Sequence, residues 1–191
     1  GSISVAKTLA RLEELQRGAS MGKTFGLRID ELTPGEIKER WPLLEVDDVV
    51  GGIFLPGDGQ TNPIDTTQAL AKGARQRGAK IFENTKVERI RVEKGRAVGV
   101  ETESGCIAAD TVVLCAGMWS HRLAADVNVA VPLHAAEHFY IVTEPIDGLP
   151  GNLPVLRVQD ECAYYKEDAG KLLMGCFEPV AKPWGMQGIP E

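Results

Sequence analysis

The chain has 191 residues, of which 43% are hydrophobic and 25% charged, an ordinary globular composition that sets aside disordered and fibrous classes. Its formal net charge of −6 argues against nucleic acid or an anionic membrane surface as the main partner, and no apolar run approaches the ~18 residues of a membrane span. Four cysteines, Cys106, Cys115, Cys162 and Cys176, form no C-x-x-C pair and no metal-ligand spacing with a histidine, so reduced thiols in a reducing compartment are expected.

Residues 4–17 are predicted helical, because Val5, Leu9, Leu12 and Leu15 recur at helical spacing and Gly18 offers a left-handed stop. Residues 24–29 are expected to form a short strand. A second helix is marked at its start: Thr33 as N-cap, Pro34 at the first helical position, and Glu36 three residues after the cap, a capping box. It should stop near Trp41, since Pro42 disfavours helical geometry before it. Residues 49–55 fit a buried strand, followed by the turn Pro56-Gly57-Asp58-Gly59. Asn62-Pro63-Ile64-Asp65 opens a third helix with Ile64, Thr67, Leu70, Ala71 and Ala74 as its apolar stripe, and Gly78 ends it. The many small residues on that stripe predict close packing.

From Lys80 the period changes to that of strands. Residues 80–82 are short and apolar. Residues 87–92 should pair with 97–102 across the Glu93-Lys94-Gly95-Arg96 turn, and an apolar phase slip between Val87 and Ile90 predicts a bulge. Ser104-Gly105 turns the chain again into residues 106–108. Residues 111–116 (T-V-V-L-C-A) are continuously apolar, the pattern of a strand buried on both faces of a parallel sheet, and they end at Gly117. In the last third, residues 139–143, 155–158, 162–165 and 172–176 are predicted strands of an antiparallel sheet. The tail from Pro179 is rich in proline and glycine. With no initiator methionine at the start, the chain is expected to be an internal piece of a longer protein.

Four stretches carry candidate chemistry. A buried strand ending at Gly117 and entering a helix is a ligand-binding geometry, because a phosphate can approach a backbone without Cβ; a plain strand-to-helix turn accounts for it equally well. The hairpin E-N-T-K-V-E-R-I, residues 83–90, is on its own just a meander. In A-A-E-H-F-Y, residues 135–140, alternation puts His138 and Tyr140 on one face; the imidazole is either a proton-transfer group or a structural residue. In V-Q-D-E-C-A-Y-Y-K, residues 158–166, Tyr164 and Tyr165 point to opposite faces, one inward and one wetter. There is no G-x-G-x-x-G, P-loop, H-E-x-x-H or G-x-S-x-G, so zinc chemistry and nucleophilic hydrolysis lack support.

Taken in order, several segments resemble the D-amino acid oxidase superfamily, and within it the dimethylglycine and sarcosine dehydrogenase type. They are F-G-L-R-I-D-E-L-T-P-G-E-I-K-E-R-W-P-L, G-G-I-F-L-P-G-D-G-Q-T-N-P, A-L-A-K-G-A-R-Q-R-G-A-K-I, T-V-V-L-C-A-G-M-W-S, E-H-F-Y-I-V-T-E-P and Q-D-E-C-A-Y-Y. The resemblance implies an α+β (mixed α/β) fold, a partial FAD-binding domain joined to an antiparallel-sheet substrate domain. Residues 1–78 would be substrate-domain chain with a helix leading back to the FAD domain, 79–125 FAD-domain chain, and 126–191 substrate-domain sheet. It further implies that Val87 contacts FAD through its backbone, that Gly117 lies near the FAD pyrophosphate, and that His138 and Tyr164 are active-site residues. The implied reaction oxidises the C–N bond of a small N-methyl amino acid, and the resulting iminium is hydrolysed or passed to tetrahydrofolate in a further C-terminal module. Arg157 is a candidate for the substrate carboxylate, or a surface charge.

The dinucleotide fingerprint, the histidine for covalent FAD attachment and the closing C-terminal strand of the family are absent here. This stretch alone is therefore expected neither to retain FAD nor to turn over without the N- and C-terminal parts of its own chain. The resemblance leaves the electron acceptor open and suits a bacterial cytoplasm or a mitochondrial matrix. A non-catalytic relative of the pyruvate dehydrogenase phosphatase regulatory subunit type is the alternative, followed by a glycine oxidase or glycerol-3-phosphate dehydrogenase relative and by a binding domain with no flavin.

Overall fold

A strand, not a helix, opens the chain: in the computed structural model, which describes residues 1–190, β1 spans Ser2–Ala6 and α1 spans Leu9–Thr24. The helical spacing of Val5 and Leu9 is coincidental. Ile3 and Val5 instead alternate into a core with no exposure, and extended Thr8 caps α1 by accepting from the Arg11 N–H. Gly18 does not stop α1. The stop is Gly26 at φ +80°, where Gly26 N–H donates to Lys23 O and Leu27 N–H donates to Gly22 O, the paired bonds of a Schellman motif. Residues 24–29 are thus helix end and loop, and the strand comes next, as β2 (Asp30–Leu32).

α2 (Pro34–Arg40) follows its capping box: Thr33 Oγ1 accepts from the Glu36 N–H at 3.3 Å, and Glu36 Oε2 accepts from the Thr33 N–H at 2.8 Å. Trp41 is its C-cap, as Pro42 predicts. β3 is Gly51–Leu55. Far along the chain come β7 (Tyr140–Val142), β8 (Val155–Val158), β9 (Ala163–Asp168) and β10 (Lys171–Cys176), at the four places the sequence predicts. With β1–β3 they build a seven-stranded sheet in the order β2-β3-β1-β8-β9-β10-β7. Every pair is antiparallel except β1–β8, which is parallel. This sheet, α1 and α2 form one compact unit, residues 1–62 with 138–181.

One sheet face presents Ile3, Val5, Leu156 and Val158 to Ile37 and Trp41, and this is the main core. On the opposite face Leu15 and Ala19 of α1 pack against Ala6 and Ile53. That same face continues across β8, β9, β10 and β7, where it carries the residues described below.

The second compact unit comprises residues 63–137 and the described residues from 182. It holds α3 (Pro63–Gln76), ended by Gly78 at φ +90°. Contrary to the expectation of close packing, no α3 residue is buried: Ile64 and Leu70 are 69% and 70% exposed. Residues 80–82 form no strand either; Asn84, at φ +50°, turns the chain just after them. A meander follows: β4 (Val87–Glu93), β5 (Arg96–Thr102) and β6 (Gly105–Ala108), in that order. Lys94 and Gly95, both at positive φ, make the two-residue hairpin turn that suits strand twist. The register slips between Val87 and Arg89, where the phase slip predicts a bulge. Residues 111–116 are no strand: a parallel strand takes its ladder from flanking strands, and among the described residues none lies beside this segment. Val113 is 78% exposed. A short 3₁₀ turn, Gly117–Trp119, then leads into α4 (Ser120–Ala125).

Candidate active site

Residues paired directly across a sheet project to the same face. The ladders set Ser4 opposite Arg157, Arg157 opposite Tyr164, Tyr164 opposite Gly175, and Gly175 opposite Tyr140. One row on one face therefore carries a guanidinium and two phenols. Tyr165 takes the other face. Its ring meets Trp41 edge-on at 6.3 Å, and burial pushes its phenol up from the ordinary value. The two tyrosines take opposite faces, as alternation predicts, but both are half-buried, so neither is clearly the wetter one.

Phe177 follows two residues after Gly175, held by its N–H donating to Cys162 O at 2.7 Å. Its ring centroid is 5.2 Å from that of Tyr164 and 5.2 Å from that of His138, edge-on to the imidazole. His138 precedes β7 rather than lying in a strand. Its Nδ1 is 3.6 Å from Glu178 Oε2, and its side chain is 43% exposed. His138 and Tyr164, far apart in sequence, are thus brought onto one aromatic ring.

Asp58, in the turn after β3, adds a carboxylate. Ser2 Oγ donates to its Oδ2 at 2.6 Å and the Gly59 N–H to its Oδ1 at 2.9 Å. The Ser2 hydroxyl first, then the Gly59 amide, hold its carboxyl below the usual range against the opposing pull of burial; the charges of the N-terminus and Arg157 add to the lowering. An imidazole and a phenol meeting on one aromatic ring, with a guanidinium opposite the phenol, suit a small zwitterion: the cation can hold a carboxylate, and the imidazole can take a proton.

In the second unit, Val87 opens β4, the edge strand of the meander, and pairs with Thr102. Gly117 sits at φ +52°, and a Cβ built there meets no atom within 4 Å, so its backbone is open to close approach. Sequence reasoning missed Phe177 and Gly175; a glycine inside an otherwise apolar strand is the signal that marks the second. All four cysteines are free. Among the described residues no His/Cys/Asp/Glu cluster suits a metal, and no helix is long and apolar enough to cross a membrane.

The sequence pattern of a family described as FAD dependent oxidoreductase matches residues 1–188. The chain is 41% identical over 190 residues to 4-methylaminobutanoate oxidase (formaldehyde-forming) of Paenarthrobacter nicotinovorans, covering 100% of this chain and 23% of that protein. It is 38% identical over 183 residues to human mitochondrial sarcosine dehydrogenase, covering 93% and 20%. It is 37% identical over 191 residues to the mouse mitochondrial pyruvate dehydrogenase phosphatase regulatory subunit, covering 98% and 22%. The chain thus spans about a fifth of the length of these relatives. Among solved structures it is similar to L-proline dehydrogenase from P. horikoshii, with TM-score 0.86 and 25% identity over 95% of this chain and 49% of that one.

Proposed function

The chain belongs to the FAD dependent oxidoreductase family, and from that premise we propose that its longer parent oxidises the C–N bond of a small N-methyl amino acid such as sarcosine or dimethylglycine. The observation that carries this reading is the convergence of His138 and Tyr164 on Phe177 beside a cation, Arg157, on one sheet face. Two relatives named above act, by their names, on N-methylated amines.

In this reading Arg157 holds the substrate carboxylate, Tyr164 orients the substrate, and His138 takes the proton of the secondary or tertiary ammonium so that the nitrogen lone pair becomes available. Phe177 walls the site and keeps both rings in place. When bound, FAD supplies the two-electron acceptor. Val87 and Gly117 fit a cofactor held through the backbone, the first at a sheet edge and the second with open space above it. In this reading residues 79–125 serve the FAD domain, with α3 clustered in the same compact unit, and residues 1–62 with 138–181 serve the substrate domain. The exposed apolar residues of α3 and Val113 are the surface that other parts of the parent chain would cover. The four free cysteines suit a reducing compartment, bacterial cytoplasm or mitochondrial matrix.

The test is made on the full-length parent. It should be yellow, and sarcosine or dimethylglycine should bleach it without oxygen. His138→Ala should slow that bleaching far more than it lowers FAD content. A colourless parent, or one unchanged by every secondary and tertiary amine tried, overturns the reading.

A second reading stays in play because the regulatory subunit matches nearly as well as the dehydrogenase, at 37% against 38%. There the parent would keep the fold and regulate another protein without amine turnover. The same anaerobic titration separates the two.

A further inference from the structure

We propose that Gly175 is a positioning residue for the amine oxidation: it seats the Tyr164 phenol by leaving empty the space a side chain would fill. The inference rests on the assignment of Tyr164 to the active site and adds a second residue acting through it.

Gly175 lies inside β10, buried, with Tyr164 opposite it on one side and Tyr140 opposite it on the other. Its φ is not in the left-handed region, so the backbone does not require glycine. Glycine inside a strand weakens the strand and offers nothing to pack. The space above it explains the choice. A Cβ at this position would stand 2.2 Å from Tyr164 Cζ, 2.3 Å from its Oη and 2.6 Å from its Cε1. The end of the phenol that bears the hydroxyl therefore lies directly on the glycine.

Any other residue pushes that hydroxyl away. The ring tilts from its place at Phe177, 5.2 Å off at an interplanar angle of 31°, and Phe177 is also the ring that His138 meets. The group that must give way is the far end of a side chain, not backbone, so the ring can swing while the sheet stays intact. A shift of the order of 1 Å in a group that orients substrate can cost about a hundredfold in rate.

The experiment compares Gly175→Ala, Tyr164→Ala and the double variant in the full-length parent. It reads the limiting rate of anaerobic flavin reduction, the substrate concentration at half-saturation, FAD content and thermal midpoint. Gly175→Ala should lower the limiting rate about 10–100-fold, change half-saturation much less, and leave FAD content intact. In the Tyr164→Ala background the same substitution should cost less than about twofold, because the clashing ring is gone. Should Gly175→Ala also lower the thermal midpoint, the double variant should regain it.

Equal losses in both backgrounds, no loss in either, or a midpoint that stays low in the double variant would overturn the proposal. A Tyr164→Ala enzyme that reduces at full rate sinks the assignment of Tyr164 itself, and the proposal with it.

Discussion

Arg157 stands directly opposite Tyr164 in the β8–β9 ladder, so a guanidinium and a phenol share one face one strand apart. That spacing matches an amino acid whose carboxylate and amine need different partners. Arg157→Met should raise the half-saturating concentration of sarcosine about 10–100-fold, the worth of a charged hydrogen bond. An amine substrate that lacks a carboxylate should feel little of this. Steady-state kinetics on both substrates decides it: no loss for either would make Arg157 a surface charge, and an equal loss for both would mean that it does not read the carboxylate.

Phe177 is the ring that both candidate catalytic groups touch, yet it is more than half exposed, so its role in the core is small. Phe177→Leu should leave thermal stability nearly unchanged and slow flavin reduction by up to about thirtyfold. Two aromatic contacts of roughly 1 kcal/mol each set that scale. Stopped-flow reduction beside a melting curve measures both; a large fall in melting temperature with full activity would reverse the assignment.

The Asp58 carboxylate ties the turn after β3 to Ser2 at the start of β1, and its folded value lies below the ordinary one of about 3.9. A depressed carboxylate stabilises the fold in full above its unfolded value, and the contribution is lost as pH falls through the folded value. Asp58→Asn should therefore be less stable than the native chain near neutral pH, and the gap should close as acid takes the pH down through the lowered folded value. Denaturant midpoints at several pH values report this. A gap that does not change with pH would show that charge is not what Asp58 contributes.

Trp41 is 3% exposed and donates from Nε1 to Pro154 O at 2.7 Å, which ties the end of α2 to the chain entering β8. Trp41→Phe keeps most of the apolar area and orphans that carbonyl. It should cost about 1–3 kcal/mol in urea unfolding with little change in slope. No measurable cost would mean that water reaches the carbonyl.

The parts legible in the sequence are those whose cause is local. The Thr33–Glu36 box, the Lys94-Gly95 turn, the bulge after Val87 and the four late strands are set by neighbours a few residues apart. Elsewhere the decision is made at a distance. Ile3 and Val5 join a strand because β3 and β8 lie on either side, although a helical period runs through Val5 and Leu9. Residues 111–116 have the composition of a buried strand and no strand to pair with among the described residues. His138 and Tyr164 are singled out as candidates by the segments around them. Phe177 was not, because its importance is the meeting of two residues on β9 and before β7, and no spacing in the chain encodes that.

The parallel pair β1–β8 also sets an order of events during synthesis. Ile3 stays without its neighbour Leu156 until roughly 150 further residues have been made. In that interval β1 presents a bare apolar edge, the kind of surface on which nascent chains stick to one another. Expression of this protein should therefore depend more on slow translation and holding chaperones than its final stability would suggest.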